Sequence, residues 1–348
     1  MSTFLTILLA LLVFGFLIFI HEFGHYLFAR IFKVKIHEFS IGMGPKLAWY
    51  DSKKTGIRYA LAMFPIGGYV AMAGEDDESD DPNSFDKKPA WQRFIITLAG
   101  AAVNIIAGFL AMAVLTCMIN IGDTTVRGFI PLEKSGYEIS SSESLQVGDK
   151  ILKIDGKKVR IWDELTYEIM RRGTKPIDVT VERGGEVTVI EDVVFPSLTE
   201  SGQSFGTVDF APNIVKKDFF GVIKYSWLKS CLIVRMCWES LYDLITGRYT
   251  FAAVSGPVGI SSAIGDAAKE GISSLLYITA LISINLGVMN LLPIPALDGG
   301  RLLTILIEMI TKKKLPKRVE GVINGVGLLL LLGLSFVVMI KDVVQIIF

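Results

Sequence analysis

Two histidines and a glutamate are spaced as His21-Glu22-x-x-His25 near the N-terminus. Residues i and i+4 share one face of a helix, so the imidazoles of His21 and His25 can bind the same metal ion. Glu22 adjoins the first imidazole and can take a proton from water whose pKa a zinc ion lowers to near 7. The pattern therefore predicts metal-assisted hydrolysis with Glu22 as the general base.

A catalytic zinc ion usually has three protein ligands and one open position. None of the three cysteines is suitably placed, and Ile31 stands where a third histidine follows this motif in some zinc proteases. Asp298 is the remaining candidate, because it is the only charged residue in the apolar block 272–300 and adjacent prolines and glycines would unwind a helix there. Asp298 has an alternative role as the cap of a helix that starts after Gly300, and the two roles are compatible.

The elements that carry these residues are apolar enough to lie in a membrane. Hydrophobic residues make up 51% of the 348-residue chain, charged residues only 20%, and the mean hydropathy is +0.50. The sequence predicts an α-helical integral membrane protein with four transmembrane helices. The predicted spans are residues 4–29, 94–122, 272–300 and 321–340. The 35 basic and 35 acidic residues balance, which excludes the charge pattern of a nucleic-acid-binding protein.

Basic residues indicate how the chain is oriented. Ten Lys and Arg lie in the loop 30–93, and a second basic cluster occupies 312–318. The positive-inside rule places both loops in the cytoplasm and both termini outside it. A helix rises about 26 Å from Phe4 to His21 at ~1.5 Å per residue, so the site is expected within the bilayer near its cytoplasmic face.

Two regions are expected outside the membrane core, whose halves are residues 1–123 and 272–348. Short β-branched runs and Gly-containing turns across 124–213 predict an inserted α+β domain. Charged residues follow one side of a helix within 216–247, so 214–271 is interpreted as an amphipathic linker on the membrane surface.

The paired motifs His21–His25 and Asn290-Leu-Leu-Pro-Ile-Pro-Ala-Leu-Asp-Gly-Gly300 resemble those of the site-2 protease family of intramembrane zinc metalloproteases. The nearest resemblance is to the bacterial regulated-intramembrane-proteolysis branch with one extracytoplasmic PDZ domain. It implies that His21, His25 and Asp298 bind one zinc ion per chain, with Glu22 as the base.

The stretch 283–290 also resembles the family, and the resemblance assigns Asn285 and Asn290 to the substrate-binding cleft. An intramembrane asparagine can hold a peptide carbonyl or an oxyanion, and the alternative role is packing between helices. Asn104, in the second span, is expected to make an interhelical hydrogen bond.

The segment 56–72 carries a hairpin signal, since apolar runs flank Gly67-Gly68. It resembles the family's membrane-associated β-loop beside the active site. A strand there can pair with an unwound substrate, whose peptide bonds a helix would hide. An ordinary cytoplasmic hairpin is the alternative.

Residues 126–195 resemble a PDZ domain, best over 145–156. Residues 127–130 are expected to form the ligand-facing strand and its carboxylate loop. The domain is expected either to bind a peptide C-terminus or to exclude bulky ectodomains by size.

The resemblance implies hydrolysis of peptide bonds within transmembrane segments, in the bacterial cytoplasmic (inner) membrane. Single-span anti-sigma factors and remnant signal peptides are the implied substrates. One rival function is a catalytically inactive membrane adaptor acting through the PDZ domain, which the intact ligand set and Glu22 oppose. Another is a metal transporter, which would need charged residues along a path through the bilayer.

Overall fold

The structure is a computed structural model that describes residues 3–75, 79–130, 139–200, 203–248 and 254–347. The helices run as α1 Thr3–Ile31, α2 Ala90–Met118, α3 Trp162–Arg172, α4 Phe219–Ile245, α5 Pro257–Glu270, α6 Ile272–Asn290, α7 Asp298–Thr311 and α8 Lys317–Ile347. The strands run as β1 Ile36–Asp51, β2 Arg58–Met72, β3 Ile121–Phe129, β4 Lys150–Ile154, β5 Lys157–Lys158, β6 Ile177–Arg183, β7 Glu186–Val193, β8 Ser197–Glu200, β9 Gln203–Gly206 and β10 Phe210–Val215.

Within the described ranges four helices, α1, α2, α6 and α8, are long and apolar enough to cross a membrane, which agrees with the predicted number of spans. The third span is shorter than predicted, because α6 ends at Asn290 and helix resumes only at Asp298. Prolines at 293 and 295 disfavour helical backbone at the residues before them. Ala296 has a φ of 72°, which no right-handed helix contains.

The chain divides into two compact units, Met1–Ala111 with Ile233–Phe348, and Met112–Leu232. In the first unit a hydrophobic cluster joins α1 to the β1–β2 hairpin, with Ala29 and Phe39 buried in it. The hydroxyls of Tyr26 in α1 and Tyr59 in β2 are hydrogen-bonded at 2.8 Å. The hairpin is therefore fixed against the helix that carries the histidines.

The sequence suggested a hairpin turn at Gly67-Gly68, but the chain does not turn there. Strands β1 and β2 pair antiparallel from Ile36 opposite Met72 to Asp51 opposite Arg58, and the chain reverses between those last two residues. The Gly-Gly pair lies inside β2. Gly67 has a φ of 88° in a stretch of shifted register, so its conformational freedom produces an irregularity within the strand instead of a chain reversal.

The second unit contains a β-rich domain. Its main sheet has the strand order β10-β3-β4-β6-β7, with β5 paired to β4 and with antiparallel pairing throughout. Leu165 and Ile169 of α3 pack on the sheet beside Ile151, Val179 and Val181, and all five side chains are fully buried. A single core thus joins the α3 helix to the sheet.

The predicted ligand-facing strand of this domain is already paired. Gly128 and Phe129 lie opposite Ala211 and Phe210 of β10, so this edge of β3 is occupied. The carboxylate loop would continue into 131–138, which lies outside the described residues.

The segment predicted as an amphipathic surface helix forms α4. Two of its charged residues are buried, since Lys229 is 7% and Asp243 1% exposed. Lys229 forms an ion pair with Asp163 of α3 at 2.8 Å, within the second unit. Part of the charged face of α4 is therefore covered by protein.

A buried ion pair fixes the turn before β4. Asp149 is 1% exposed, and its carboxylate accepts hydrogen bonds from Arg183 Nε and Nη2, both at 2.7 Å, and from the Gln146 N–H at 2.8 Å. Burial alone would raise the pKa of Asp149, but these hydrogen bonds hold it below its ordinary value of 3.8. The charged form therefore stabilises the fold above about pH 4, and this contribution is lost as the pH falls through the lowered pKa.

We expect Asp149→Asn to lower the free energy of unfolding of this domain by about 2–3 kcal/mol at pH 7, because Arg183 loses its charged partner. Amide hydrogen exchange in β4 and β6 of the full chain in detergent measures the change. Glu182→Gln, which breaks an exposed 3.7 Å pair with Lys150, is the control and should cost less than about 0.5 kcal/mol. Equal effects would contradict the importance of the buried pair.

Candidate metal centre

Two distant parts of the chain meet at one point in the first unit. Helix α1 supplies His21 and His25, and the first residue of α7 supplies Asp298. His21 Nε2 and His25 Nε2 lie 3.2 Å apart, and Asp298 Oδ2 lies 3.1 Å and 3.3 Å from them. Among the described residues these three form the group of potential metal ligands whose atoms converge within 4.8 Å.

The triangle of ligand atoms has the size that zinc requires. A tetrahedral zinc ion with ligands at about 2.0–2.1 Å separates them by about 3.3 Å, close to the three observed distances. Asp298 Oδ2 is buried and accepts no hydrogen bond from the described residues. A buried carboxylate oxygen with no donor is costly, and a cation bound by the triangle would satisfy it. The three residues therefore fit a zinc ion.

Asp298 directly follows the unwound segment between α6 and α7. Helix α8 contacts that segment. The Ala296 N–H donates to Asn324 Oδ1 at 3.2 Å. A Cβ at Gly327 would lie 2.5 Å from Pro295 Cβ, so the helix and the loop are in direct contact. The strained Ala296 backbone is thus stabilised by a side chain from the last span, which the sequence analysis did not identify.

Helix α2 sets the orientation of His25. The imidazole Nδ1–H of His25 donates to the Ile96 carbonyl at 2.9 Å. Since a carbonyl only accepts, Nδ1 carries the proton and Nε2 presents its lone pair to the centre. The ring therefore has the tautomer that a metal ligand needs.

Gly100 of α2 lies directly against the imidazoles. A Cβ there would be 2.3 Å from His25 Nε2 and 2.9 Å from His21 Cε1. The sequence analysis did not single out Gly100. Its spacing of four from Ile96 and Asn104 puts the three residues on one face of α2, but the sequence does not show that this face meets α1.

Gly100→Ala should therefore weaken zinc binding more than tenfold, since the new methyl group overlaps the ligating nitrogen. Competition against a metal chelator measures the affinity. Gly325→Ala in α8 is the matched control, because its Cβ would meet nothing within 4 Å. An unchanged affinity in Gly100→Ala would show that the imidazoles can move aside.

Glu22 follows His21 on α1 and contacts the hairpin. A Cβ at Gly68 would lie 3.1 Å from Glu22 Cγ and 3.0 Å from the Ser40 carbonyl oxygen. The Cβ position of Gly67 instead faces Met43, 2.7 Å from its Cε. Of the two glycines predicted to bind substrate, the structure brings Gly68 to Glu22 and directs Gly67 into the hairpin.

Three asparagines were singled out in the sequence, and two of them reach the site. Asn104 Nδ2 lies 3.4 Å and Asn290 Nδ2 3.5 Å from His21 Nδ1. The contact of Asn104 confirms the predicted interhelical hydrogen bond. Asn285 lies on α6, and its partly exposed side chain forms no hydrogen bond within the described part of the chain.

The chain is similar in sequence to known proteins. The sequence pattern of peptidase family M50 matches residues 9–334. A relative from Clostridium acetobutylicum is 35% identical over 347 residues, and one from Fusobacterium nucleatum is 35% identical over 346, with at least 97% of each chain covered. The names of both assign them to the zinc metalloproteases. The zinc metalloprotease RasP of Geobacillus kaustophilus is 29% identical, with 96% of each chain covered.

Proposed function

The chain belongs to peptidase family M50, and from this premise we propose that His21, His25 and Asp298 are the zinc ligands and Glu22 the general base of its active site. Family membership makes the chain an intramembrane zinc metalloprotease. The observation that carries the residue assignment is the convergence of two imidazole nitrogens and one carboxylate oxygen at zinc-ligand distances.

The proposed chemistry divides between the metal and the protein. Zinc, when bound, acts as a Lewis acid toward the peptide carbonyl and the attacking water. Glu22 takes the proton of that water and passes it to the departing amine. The neighbouring imidazoles and the close contact with Gly68 restrict the Glu22 side chain to one region of the site.

We propose that an extended substrate strand pairs with β2 beside Glu22. Residues 68–72 of β2 pair on one edge with residues 36–41 of β1 and have no second strand partner among the described strands, so their other edge remains available for β-augmentation near Gly68. Asn290, which lies close to His21 at the end of α6, would donate to a peptide carbonyl. Asn285 and Gly67 would contribute farther from the scissile bond, if the strand extends along α6 and β2.

The proposed substrates are single-span membrane proteins such as anti-sigma factors, or remnant signal peptides, cut in the bacterial cytoplasmic membrane. The basic loops favour both termini on the extracytoplasmic side and the metal centre near the cytoplasmic face. The β-rich domain would then face the substrate's ectodomain, as a PDZ-type peptide reader or a size filter.

Metal removal tests the assignment. We expect purified full-length protein in detergent to cleave a tagged single-span reporter, to lose activity on treatment with a strong chelator, and to regain it with one equivalent of zinc. Mass spectrometry of the fragments should place the cut within the reporter's transmembrane sequence. Cleavage that resists chelation, or that falls outside that sequence, would contradict the proposal.

A further inference from the structure

One face of α2 lies along both histidines. Ile96, Gly100 and Asn104 are spaced by four residues, so they follow one another on this face. Ile96 accepts the Nδ1 proton of His25, and Gly100 leaves room for both rings. The third residue of the row, Asn104, lies beside Nδ1 of His21 at 3.4 Å.

Asn104 is held firmly at this position. Its residue is 0% exposed, and its backbone carbonyl accepts a hydrogen bond from Ser283 Oγ of α6 at 2.8 Å. The side-chain Oδ1 is buried and has no hydrogen-bond partner among the described residues. An amide oxygen buried without a donor is costly, and the nitrogen of the same amide contacts the imidazole of His21.

The role of Nε2 of His21 determines whether Asn104 has to accept or donate a hydrogen bond at Nδ1. Nε2 of His21 faces Asp298 Oδ2 and His25 Nε2, so Nε2 is the nitrogen that would bind the metal. A neutral imidazole that ligates through Nε2 carries its proton on Nδ1 and needs an acceptor there. The amide nitrogen of Asn104 cannot accept, but the amide group can present its oxygen at the same position after a half-turn, because the two ends have nearly the same shape.

We propose that Asn104 is the positioning residue of His21, with Oδ1 accepting the Nδ1 proton and thereby fixing the ring and its tautomer for zinc. This inference rests on the ligand set proposed above. It assigns α2 the same task at both histidines, through a backbone carbonyl for His25 and a side-chain amide for His21.

The two asparagines near His21 then have different tasks. Asn290 lies at the end of α6, next to the unwound segment, and is partly exposed. Asn104 is fully enclosed and has the oxygen that lacks a donor. Asn104 therefore supports the metal ligand, which leaves Asn290 available to substrate.

Zinc affinity and the visible spectrum of the cobalt-substituted protein test the proposal without any substrate. We expect Asn104→Ala to bind zinc about 10–100-fold more weakly and to change the cobalt absorption bands. Asn104→Asp keeps the shape and an acceptor oxygen, so its affinity should stay within about threefold of the wild type or increase. Thr279→Ala, which removes a hydroxyl that donates to the Leu275 carbonyl within α6, is the control and should keep the wild-type affinity and spectrum.

Two results would overturn the inference: wild-type affinity in Asn104→Ala, or an Asn104→Asp variant as weak as the alanine variant, which would make the amide a donor. The aspartate variant decides the matter even if Asn104→Ala does not fold. A wrong ligand assignment would be recognised by a different result. In that case His21→Ala would bind zinc as tightly as the wild type.

Discussion

Glu22→Gln is expected to reduce cleavage of a single-span reporter by about 10²–10⁴-fold, the usual contribution of a positioned acid–base group, while zinc stays bound. Glutamine has the same shape and preserves the contact with Gly68, but its amide cannot take a proton from water. Because Glu22 is not one of the three converging ligands, the zinc affinity should remain close to that of the wild type. Reporter cleavage and chelator competition on the same preparation measure both quantities.

Glu270→Gln at the exposed end of α5 is the matched control and should cleave like the wild type. Equal cleavage by Glu22→Gln and wild type would exclude Glu22 as the base and point to a contaminating protease. Loss of zinc together with loss of cleavage would instead place Glu22 among the groups that hold the metal.

Asp298→Asn separates the two roles that the sequence left open for this residue. The predicted cap role is not seen in this form, because α7 starts at Asp298 itself and Leu297 is the N-cap residue. Asp298 can serve the helix only as a first-turn residue, where asparagine is tolerated, so α7 should form normally. The neutral amide is a poor zinc ligand, and the loss of the carboxylate should weaken zinc binding by more than the roughly 10–100-fold cost of changing a supporting residue. Cleavage should fall to background, and zinc content after gel filtration together with a thermal unfolding curve checks both effects.

The control is Asp266→Asn, which removes an exposed carboxylate that pairs with Lys269 at 2.8 Å on α5. It should leave zinc content and unfolding unchanged. If Asp298→Asn kept both its zinc and its thermal stability, the residue would serve only the helix N-terminus and the third ligand would have to be sought elsewhere.

The sequence was sufficient to predict the site where placing a residue type in the membrane costs much free energy. Histidines, a glutamate and an aspartate in apolar blocks are expensive unless they are used, and the structure brings His21, His25 and Asp298 together. The sequence was misleading at Gly67-Gly68, because a glycine pair marks unusual backbone but does not distinguish a turn from an irregularity within a strand. The roles of Gly100 and Asn104 depend on which face of α2 meets α1, and that is a tertiary property which spacing alone does not determine.

The position of the ligands along the chain has a consequence for the cell that makes the enzyme. His21 and His25 leave the ribosome first, and Asp298 follows after the whole β-rich domain. At about 5–20 residues per second, the interval is roughly 15–55 s. During that time the growing chain inserts among other nascent membrane proteins with only two of its three proposed ligands. If all three proposed ligands are required, the order of synthesis delays the proteolytic activity until Asp298 has been made, after the third membrane span.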